Sequence, residues 1–559
     1  MRLSRLEITN FKGIGTKQVI ELAPITLLFG PNSAGKSTIL QSLHYVREVL
    51  ARGNPDPDQT IAGGLIDLGG FANLIHGHDR SRTMTIKLVI DGIDGTGDER
   101  LPLNSGASLN APEFADLPVR YLVGENTDLK DYAVVHSVGV ELSVGWSDLV
   151  GGPFVSSISI EMDDAEVATI SSPAQAGRAV LSGFNFDHHL FHRSRDADEL
   201  RDEDDGLSER PLADQIAELS REMARTGDIP FEKYRIGIET ILGALPLLDR
   251  SLVCDLRDPD VSTFELERKT PRVRGLAMLL DEVILGPLRL TRDYLNMMTY
   301  IGPLRDIPSR GFRPRLSPDE ARWAHGLAAW DLLYTDNSGD LVKAVNRWLG
   351  DKERLGTTYE VVRIQQREIP IPSRFSQIFD RGLTEDDIPE LQEIYTKLST
   401  RHEIALRDFV KNIMVAPSDI GVGISQMIPV IVGCLHDRHG ILSVEQPELH
   451  IHPAIQVGMG DLLIDAVQAR EGIVGTGRTL LVETHSEHIM LRLLRRVRET
   501  HAGELPPGIT GIKPEDIAVI YVENREDQVV FRAMVVDDEG DFQNRWPAGF
   551  FEERAEELF

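Results

Sequence analysis

The feature that most constrains this chain is the segment Gly30–Ser37, whose sequence GPNSAGKS matches the pattern G-x-x-x-x-G-K-[ST] without a mismatch. An apolar run, Ile25–Phe29, precedes it and predicts a buried strand, and Thr38–Leu50 follows it with the pattern of a helix. A strand, a glycine-rich loop and a helix in this order bind phosphate, because the N–H groups of the loop turn inward around the anion. The segment therefore predicts a nucleotide site.

Two side chains of this loop are expected to have separate tasks. Lys36 is placed to reach the β- and γ-phosphates, and the hydroxyl of Ser37 to coordinate Mg²⁺. The following helix directs the positive end of its dipole at the same anion. The alternative, a glycine-rich turn without a ligand, is disfavoured because strand, loop and helix are all present.

The composition bounds what else the chain does. Its 559 residues are 41% hydrophobic and 26% charged, without an apolar run near the ~18 residues of a membrane span. The N-terminus lacks the apolar core of a signal peptide, and the two cysteines lack metal-ligand spacing, so we expect a cytoplasmic protein without a membrane partner. The net charge of −29 argues against a surface that binds nucleic acid everywhere.

The C-terminal half contains two further apolar runs that end in polar residues. Gly440–Val444 is followed by Glu445, and a carboxylate at the end of a buried strand is what a phosphate-bound Mg²⁺ needs. Thr479–Glu483 is followed by Thr484, His485 and Ser486, which have the chemistry to bind a terminal phosphate or the attacking water. Taken alone, His485 fits a hydrogen-bonded core histidine equally well.

Between these ends the periodicity changes. Strand-like alternation predicts an antiparallel layer over Met84–Ile90, Val134–Val144, Phe154–Met162, Glu166–Ile170 and Val180–Phe186. Helical periodicity follows over Leu212–Ala224, Val273–Leu285, Asp319–Tyr334 and Leu341–Leu349. Lys36 and Glu445 have to meet in one site, so we predict a core sheet that is split by this middle segment.

Five segments, taken together, carry a family resemblance: ITNFKGIG, GPNSAGKST, GVGISQ, VEQPELHIHP and VETHSEH. In this order they resemble the ABC-type ATPases of the OLD/SMC-like group, often labelled AAA family ATPases. The closing WPAGFF resembles a small C-terminal domain found on one branch of these ATPases, whereas roughly the middle third carries no recognisable match.

The resemblance implies an α/β fold, a P-loop NTPase of ABC-head type, with a split core sheet, an antiparallel β layer and a large, mostly helical insertion. Four regions are predicted: an N-terminal half of the core with the β layer, the insertion, a C-terminal half of the core, and a small β-rich tail. They comprise residues 1–195, 196–402, 403–522 and 523–559.

The resemblance also implies roles for individual residues, with ATP and Mg²⁺ as cofactors. Ser37 and Glu445 would coordinate Mg²⁺, His485 would sense the γ-phosphate, and Ser425 would contact ATP bound by another subunit. A homodimer, or a higher even-numbered oligomer, with two ATP at a head-to-tail interface follows from that last role. The remaining nucleotide-binding positions are Asn10, Phe11, Lys12, Gly30, Asn32, Ser33, Ala34, Gly35, Lys36 and Thr38.

One departure from the family pattern bears on the rate. Gln446 stands at the usual position of the catalytic glutamate, and an amide can orient water but cannot take its proton. Glu448 would substitute if the strand end turns suitably. We therefore expect an ATPase that hydrolyses slowly and acts as a switch. Fragments resembling the nuclease motif of related proteins are incomplete, so we expect no nuclease activity.

Two functions remain open from the sequence. The first is an ATP-dependent switch that controls a separately encoded effector protein, with bacterial defence against phage as the setting that the kinship implies. The second is a DNA-repair or chromosome-maintenance ATPase that clamps DNA between its heads. Local arginine clusters motivate the second, against the simpler interpretation as scattered surface charge: Arg289, Arg292, Arg305, Arg310, Arg313, Arg315 and Arg322, and Arg492, Arg495, Arg496 and Arg498.

Overall fold

The computed structural model describes most of both ends of the chain and the central helices. The residues described are 1–60, 63–92, 135–173, 179–185, 188, 236–252, 254–255, 280–317, 319–436, 440–468, 478–526 and 528–547. The predicted helix Leu212–Ala224 and the aromatic pair Phe550 and Phe551 lie outside these residues.

A six-stranded core sheet combines strands from the two ends of the chain. In spatial order its strands are Thr299–Ile301, Ile441–Glu445, Thr479–Glu483, Ile25–Phe29, Ile517–Arg525 and Gln528–Met534. The first five run parallel, and the last forms an antiparallel hairpin with its neighbour. The strand before the phosphate loop thus lies between two C-terminal strands, which confirms the predicted split sheet.

The apolar character of these strands follows from burial on both faces. All five residues of Ile25–Phe29 are buried. Leu27 packs with the cluster of core residues on one face of the sheet, and Leu28 packs with the cluster on the other. Because successive side chains of a strand point to opposite faces, a strand between two apolar layers needs an unbroken apolar run.

The predicted antiparallel layer is a nine-stranded sheet that begins with the first strand of the chain. Its strands, in spatial order, are Cys254–Asp255, Ile236–Ile238, Ala179–Phe184, Ala165–Ser171, Gly152–Met162, Ser137–Ser147, Met84–Asp91, Arg2–Thr9 and Gln18–Glu21. All the pairings are antiparallel. Its apolar residues share one cluster with the helix that follows the phosphate loop.

Helices cover the core sheet and recur through the described part of the middle segment. The α-helices of the described residues are Ser37–Arg52, Phe71–Leu74, Gly286–Asn296, Glu320–Ala324, Leu327–Thr335, Asp340–Gly350, Arg374–Arg381, Ile388–Lys397, Val422–Leu435, Pro453–Val467 and Glu487–Ala502. None of them combines the length and apolar character that crossing a bilayer requires. The fold is therefore the predicted α/β class with a P-loop, an antiparallel layer and substantial helical content.

The middle segment is more than a helical insertion. It supplies Thr299–Ile301, an edge strand of the core sheet, next to the strand that ends in Glu445. It also contains Tyr359–Arg367, the first strand of a separate three-stranded antiparallel sheet whose other strands are Thr400–Asp408 and Ile413–Val415. The four region boundaries drawn from the sequence stay a prediction.

A buried ion pair joins the two helices that follow the acidic strands. Arg496 donates two hydrogen bonds to the carboxylate of Asp461, at 2.7 and 3.0 Å, and both side chains are almost fully buried. Arg492 lies 3.4 Å from the same carboxylate. Two members of the C-terminal arginine cluster are therefore directed inward at Asp461.

Removing the buried carboxylate should destabilise the protein. Asp461→Ala leaves a buried guanidinium without its bidentate partner, so we expect the free energy of unfolding to fall by about 3–5 kcal/mol. The control is Glu393→Ala, which removes a solvent-exposed pair with Lys397 and should change the stability far less. Urea unfolding of both variants measures the difference, and equal losses would contradict a structural role for the buried pair.

Candidate functional site

The phosphate loop and the acidic strand ends meet at one edge of the core sheet. The Ser37 hydroxyl donates to Glu483 at 2.9 Å, and the Lys36 ammonium lies 3.7 Å from the other oxygen of that carboxylate. Glu445 is the registered neighbour of Glu483 on the adjacent parallel strand. Because parallel strands end at the same edge, residues from distant parts of the sequence converge there.

The backbone of the loop explains its first glycine. Gly30 has φ 144°, and a Cβ at this position would lie 2.2 Å from the carbonyl oxygen of Val522. Only glycine permits this close approach of the loop to the neighbouring strand. Lys36 curls back over the loop, and its ammonium donates to the carbonyls of Gly30 and Pro31 at 3.1 and 2.9 Å. The helix then begins at Ser37.

The carboxylate of Glu483 lies close enough to that of Glu445 to affect its ionisation. Burial, and secondly the nearby Glu483 carboxylate, raise the pKa of Glu445 from its ordinary value to about 7. Tyr300, on the edge strand, acts in the opposite direction and lowers the pKa of Glu445. Burial lowers the pKa of Lys36, while Glu483 opposes that change. A cation bound between these carboxylates would relieve their repulsion.

Gln446 and Glu448 differ sharply in their surroundings. Gln446 adopts a left-handed backbone, φ 44°, and its N–H donates to the carbonyl of Glu483 at 2.7 Å. The Glu448 carboxylate accepts from the Thr484 hydroxyl at 2.8 Å and from the N–H of His485 at 2.7 Å. Glu448 therefore holds the segment after the neighbouring strand in place.

His485 is half-buried beside this cluster. Its Nε2 is buried and has no hydrogen-bond partner within the part of the chain that the structure describes. Burial lowers the pKa of the imidazole, and the positive charge of Lys36 lowers it further. A neutral imidazole has one N–H donor and one acceptor. A phosphate oxygen would suit such a donor.

The turn after the first strand lies beside the phosphate loop. Val529 contacts both, since its N–H donates to the carbonyl of Gly13 and its side chain lies against Gly35. Phe11 is fully buried, with its ring 6.1 Å from that of Tyr45, so its side chain belongs to the core. The Asn10 amide donates to the carbonyl of Thr83 at 2.8 Å.

The remaining predicted residues fall into three environments. Asn32 and Ser33 are exposed at the tip of the loop, whereas Ala34 and Thr38 are buried beneath it. Burial lowers the pKa of Lys12, whose carbonyl oxygen is 2.8 Å from the Nδ1 of His76.

Ser425 is buried at the start of the helix Val422–Leu435. Its hydroxyl donates to the carbonyl of Pro417 at 2.8 Å.

Three residues of the site were not predicted from the sequence: Glu483, Tyr300 and Arg305. Glu483 ends its strand as Glu445 ends the neighbouring one, and this repeated apolar-run-then-glutamate pattern was the available signal. Tyr300 and Arg305 follow from the position of the edge strand, and Arg305 had been counted among the surface arginines. Its guanidinium is buried and donates to the carbonyl of Glu445 at 2.6 Å.

The donor set fits the divalent cation that the sequence predicts. The Ser37 hydroxyl and the carboxylates of Glu445 and Glu483 are hard oxygen ligands at one edge of the core sheet, of the kind that Mg²⁺ prefers. A Mg²⁺ bound there would neutralise charge on a bound triphosphate.

Comparison with protein families supports the N-terminal assignment. Residues 1–94 match a family described as AAA ATPase domain. Residues 512–559 match a family described as protein of unknown function, DUF3696. No curated protein matches the sequence. The first match and the site geometry agree on an AAA-type, nucleotide-binding ATPase core, which is the coarse class that the sequence resemblance implied.

Solved structures of SMC heads are among those similar to the chain. One is an SmcHead bound to the C-winged helix domain of ScpA, at 10% identity and TM-score 0.36, with 96% of this chain and 98% of that chain covered. The SMC head domain from Thermotoga maritima matches at 9% identity and TM-score 0.35, with 96% and 100% covered. A third is an Smc head domain with an extended coiled coil, bound to the C-terminal domain of ScpA and derived from Pyrococcus furiosus. It matches at 11% identity and TM-score 0.34, with 100% of this chain and 98% of that chain covered.

The raised pKa of Glu445 predicts a specific pH dependence of stability. Because the folded protein holds a proton on Glu445 that the unfolded chain releases, ionisation costs stability as the pH rises from about 4.5 to about 7. Relative to that of the wild type, the free energy of unfolding of Glu445→Gln should therefore increase by up to about 3 kcal/mol across this window. Unfolding of both proteins without nucleotide or metal, at pH values from 4.5 to 8, measures the difference. A pH-independent difference would contradict the burial of this carboxylate.

Proposed function

We propose that this chain binds Mg²⁺-ATP and hydrolyses it slowly, and that it works as a nucleotide-dependent switch. One observation carries the proposal: the hydroxyl of the phosphate-loop Ser37 reaches a carboxylate 446 residues away in the sequence, next to a second acidic strand end. A phosphate loop beside paired carboxylates is the arrangement that phosphoryl transfer to water needs. The match of the N-terminal segment to AAA ATPase domains supports the same function.

The residues of the site take complementary roles in this proposal. Lys36 leaves its loop carbonyls for the β- and γ-phosphates, while Ser37 and Glu445 coordinate Mg²⁺. Glu483 contacts both members of the Lys36–Ser37 pair and holds them ready for the ligand. His485, with its Nε2 buried near Lys36, responds to the γ-phosphate.

Slow turnover follows from the groups available to activate water. Gln446 orients a water molecule through its amide but accepts no proton. Glu448, the substitute suggested by the sequence, is already engaged by Thr484 and by the backbone of His485. Using Glu448 as a base would cost the hydrogen bonds that position the His485 segment. We therefore propose that the ATP-bound state persists long enough to be the signal.

Assembly is proposed to complete the site. The turn Gly421–Gln426 comprises Gly421, which precedes the helix Val422–Leu435, and the first residues of that helix. Gly421 and Val422 are exposed, and Ser425 lies three residues after Val422. In a head-to-tail homodimer, or a higher even-numbered oligomer, this turn would face the ATP of the other subunit. ATP would then control association, and through it a separately encoded effector in the cytoplasm.

Phage defence is the proposed biological setting, and it rests on kinship with OLD/SMC-like ATPases alone. The alternative of a DNA clamp has less support. Five of the seven middle-segment arginines that motivated it pair with carboxylates: Arg289 with Asp281, Arg292 with Asp249 and Asp293, Arg310 with Asp419, Arg315 with Asp319, and Arg322 with Asp331. Such pairing reduces the positive field that would attract DNA phosphates.

Loss of the phosphate-loop lysine tests the function. Lys36→Ala removes the cation that faces the phosphates, so we expect the affinity for Mg²⁺-ATP to fall about 100-fold or more and turnover to vanish. Lys17→Ala is the control, because Lys17 is half-exposed and pairs with Glu7 away from the loop. Equilibrium binding of a fluorescent ATP analogue reports both variants. Unchanged binding in Lys36→Ala would reject the proposed site.

A second substitution tests the origin of the slow rate. Gln446→Glu places a proton acceptor where the amide stands, and general-base catalysis contributes about 10²–10⁴-fold. We expect single-turnover hydrolysis to become at least tenfold faster, with ATP affinity little changed. The control Gln456→Glu changes an amide on the adjacent helix, whose oxygen accepts from Ser486. An unchanged rate in Gln446→Glu would show that base availability does not limit turnover.

A further inference from the structure

A single buried arginine connects the turn Gly421–Gln426 with the catalytic strand end. The Arg305 guanidinium donates to the carbonyl of Gln426 at 3.3 Å. It also donates to the carbonyls of Glu445, at 2.6 Å, and Gln446, at 3.1 Å. Arg305 is 3% exposed, so these carbonyls are its principal partners in place of water.

The side chain of Gln426 completes this connection from the other direction. Its amide oxygen accepts from the N–H of Arg305 at 3.2 Å, and its amide nitrogen donates to the carbonyl of the same residue. Gln426 thus holds the backbone of Arg305, while the guanidinium of Arg305 holds the backbone of Gln426. We name these two residues, with their mutual hydrogen bonds, the Arg305–Gln426 bridge.

The bridge acts on a backbone that has little freedom. The N–H of Gln446 is bound by Glu483, its carbonyl is bound by Arg305, and its φ is left-handed. Because hydrogen bonds fix both the N–H and the carbonyl of Gln446, the direction of its side chain is restricted. A second contact joins the same segments, since a Cβ on Gly423 would lie 2.5 Å from the carbonyl oxygen of His450.

We propose that Arg305 and Gln426 are positioning residues that transmit movement of the turn Gly421–Gln426 to Gln446. The inference rests on the proposed function, in which that turn contacts the ATP of the other subunit. Closure of one subunit on its partner's ATP then sets the position of the water-orienting residue in its own site. The bridge links the two ATP sites of the dimer and regulates turnover rather than nucleotide affinity.

The linkage is rigid enough for this role. Hydrogen bonds from a charged donor are stronger than those between neutral groups, so the three bonds of the Arg305 guanidinium resist displacement. A displacement of about 1 Å at a reacting group changes rates by as much as 100-fold. Small shifts of the helix Val422–Leu435 are therefore sufficient to switch turnover.

The far end of the same helix supplies a matched control. Arg478 is also buried, and it donates to the carbonyls of Cys434 and Gly433 at 2.9 and 2.6 Å. Arg478→Lys and Arg305→Lys thus make the same chemical change to carbonyl-bound arginines at opposite ends of one helix. Only Arg305 also bonds the backbone of Glu445 and Gln446.

The experiment measures ATP affinity, kcat and melting temperature for the full-length variants. We expect Arg305→Lys and Gln426→Met to lower kcat about tenfold or more, with the dissociation constant of ATP changed less than threefold. Arg478→Lys should keep kcat within twofold of the wild type at a comparable loss of melting temperature. If Arg305→Lys does not fold, Gln426→Met alone decides, because it leaves the bonds from Arg305 to Glu445 and Gln446 in place.

Double variants that contain Ser425→Ala distinguish the loss of transmitted movement from general destabilisation of the protein. Effects along one route are not additive, so the loss of kcat in Ser425→Ala with Arg305→Lys should fall well short of the product of the single losses. With Arg478→Lys the losses should multiply. Multiplying losses for Arg305→Lys, a wild-type rate in Ser425→Ala, or equal kcat in the two lysine variants would overturn the proposal. A wild type without ATP turnover would instead reject the proposed function, and this inference with it.

Discussion

The pairing of Ile25–Phe29 between two C-terminal strands is the constraint on which the rest of the structure depends. Its parallel register aligns Leu28 with Glu483 on one side and Phe29 with Tyr521 on the other. The phosphate loop leaves the sheet at that level, so Ser37 and Lys36 reach the carboxylate of Glu483. A shift of one residue in this register would turn the strand's side chains to the opposite faces and break both core clusters.

The same pairing places opposite charges together with little access to water. Lys36 is opposed by Glu483, and more weakly by Glu445 and Glu448. Burial, and secondly the neighbouring Glu483 carboxylate, raise the pKa of Glu445 to about 7, and two carboxylates beside one ammonium leave excess negative charge when both are ionised. A site of this kind is suited to a bound divalent cation, which would neutralise the excess negative charge of the carboxylates and part of the charge of a bound polyphosphate.

The C-terminal part of the chain also supports the phosphate-loop strand from behind. The ring of Trp546 packs edge-on against Phe29 at 5.9 Å and against Tyr521 at 5.8 Å. Phe29 directly precedes Gly30, so the described part of the tail stabilises the strand from which the loop departs.

Local patterns in the sequence determined the phosphate loop, the parallel strands and the acidic residue Glu445, because a glycine-rich loop between strand and helix leaves few other structures available. The two-sided burial of the core strands was likewise readable from unbroken apolar runs. Tertiary structure alone decided the partners of those groups. Glu483 faces Ser37 because of strand order, and Arg305, one of many arginines in the sequence, is buried because an edge strand carries it beneath the helix Val422–Leu435. A pattern along the chain specifies which groups are available, whereas contacts across hundreds of residues depend on register and packing that no short segment encodes.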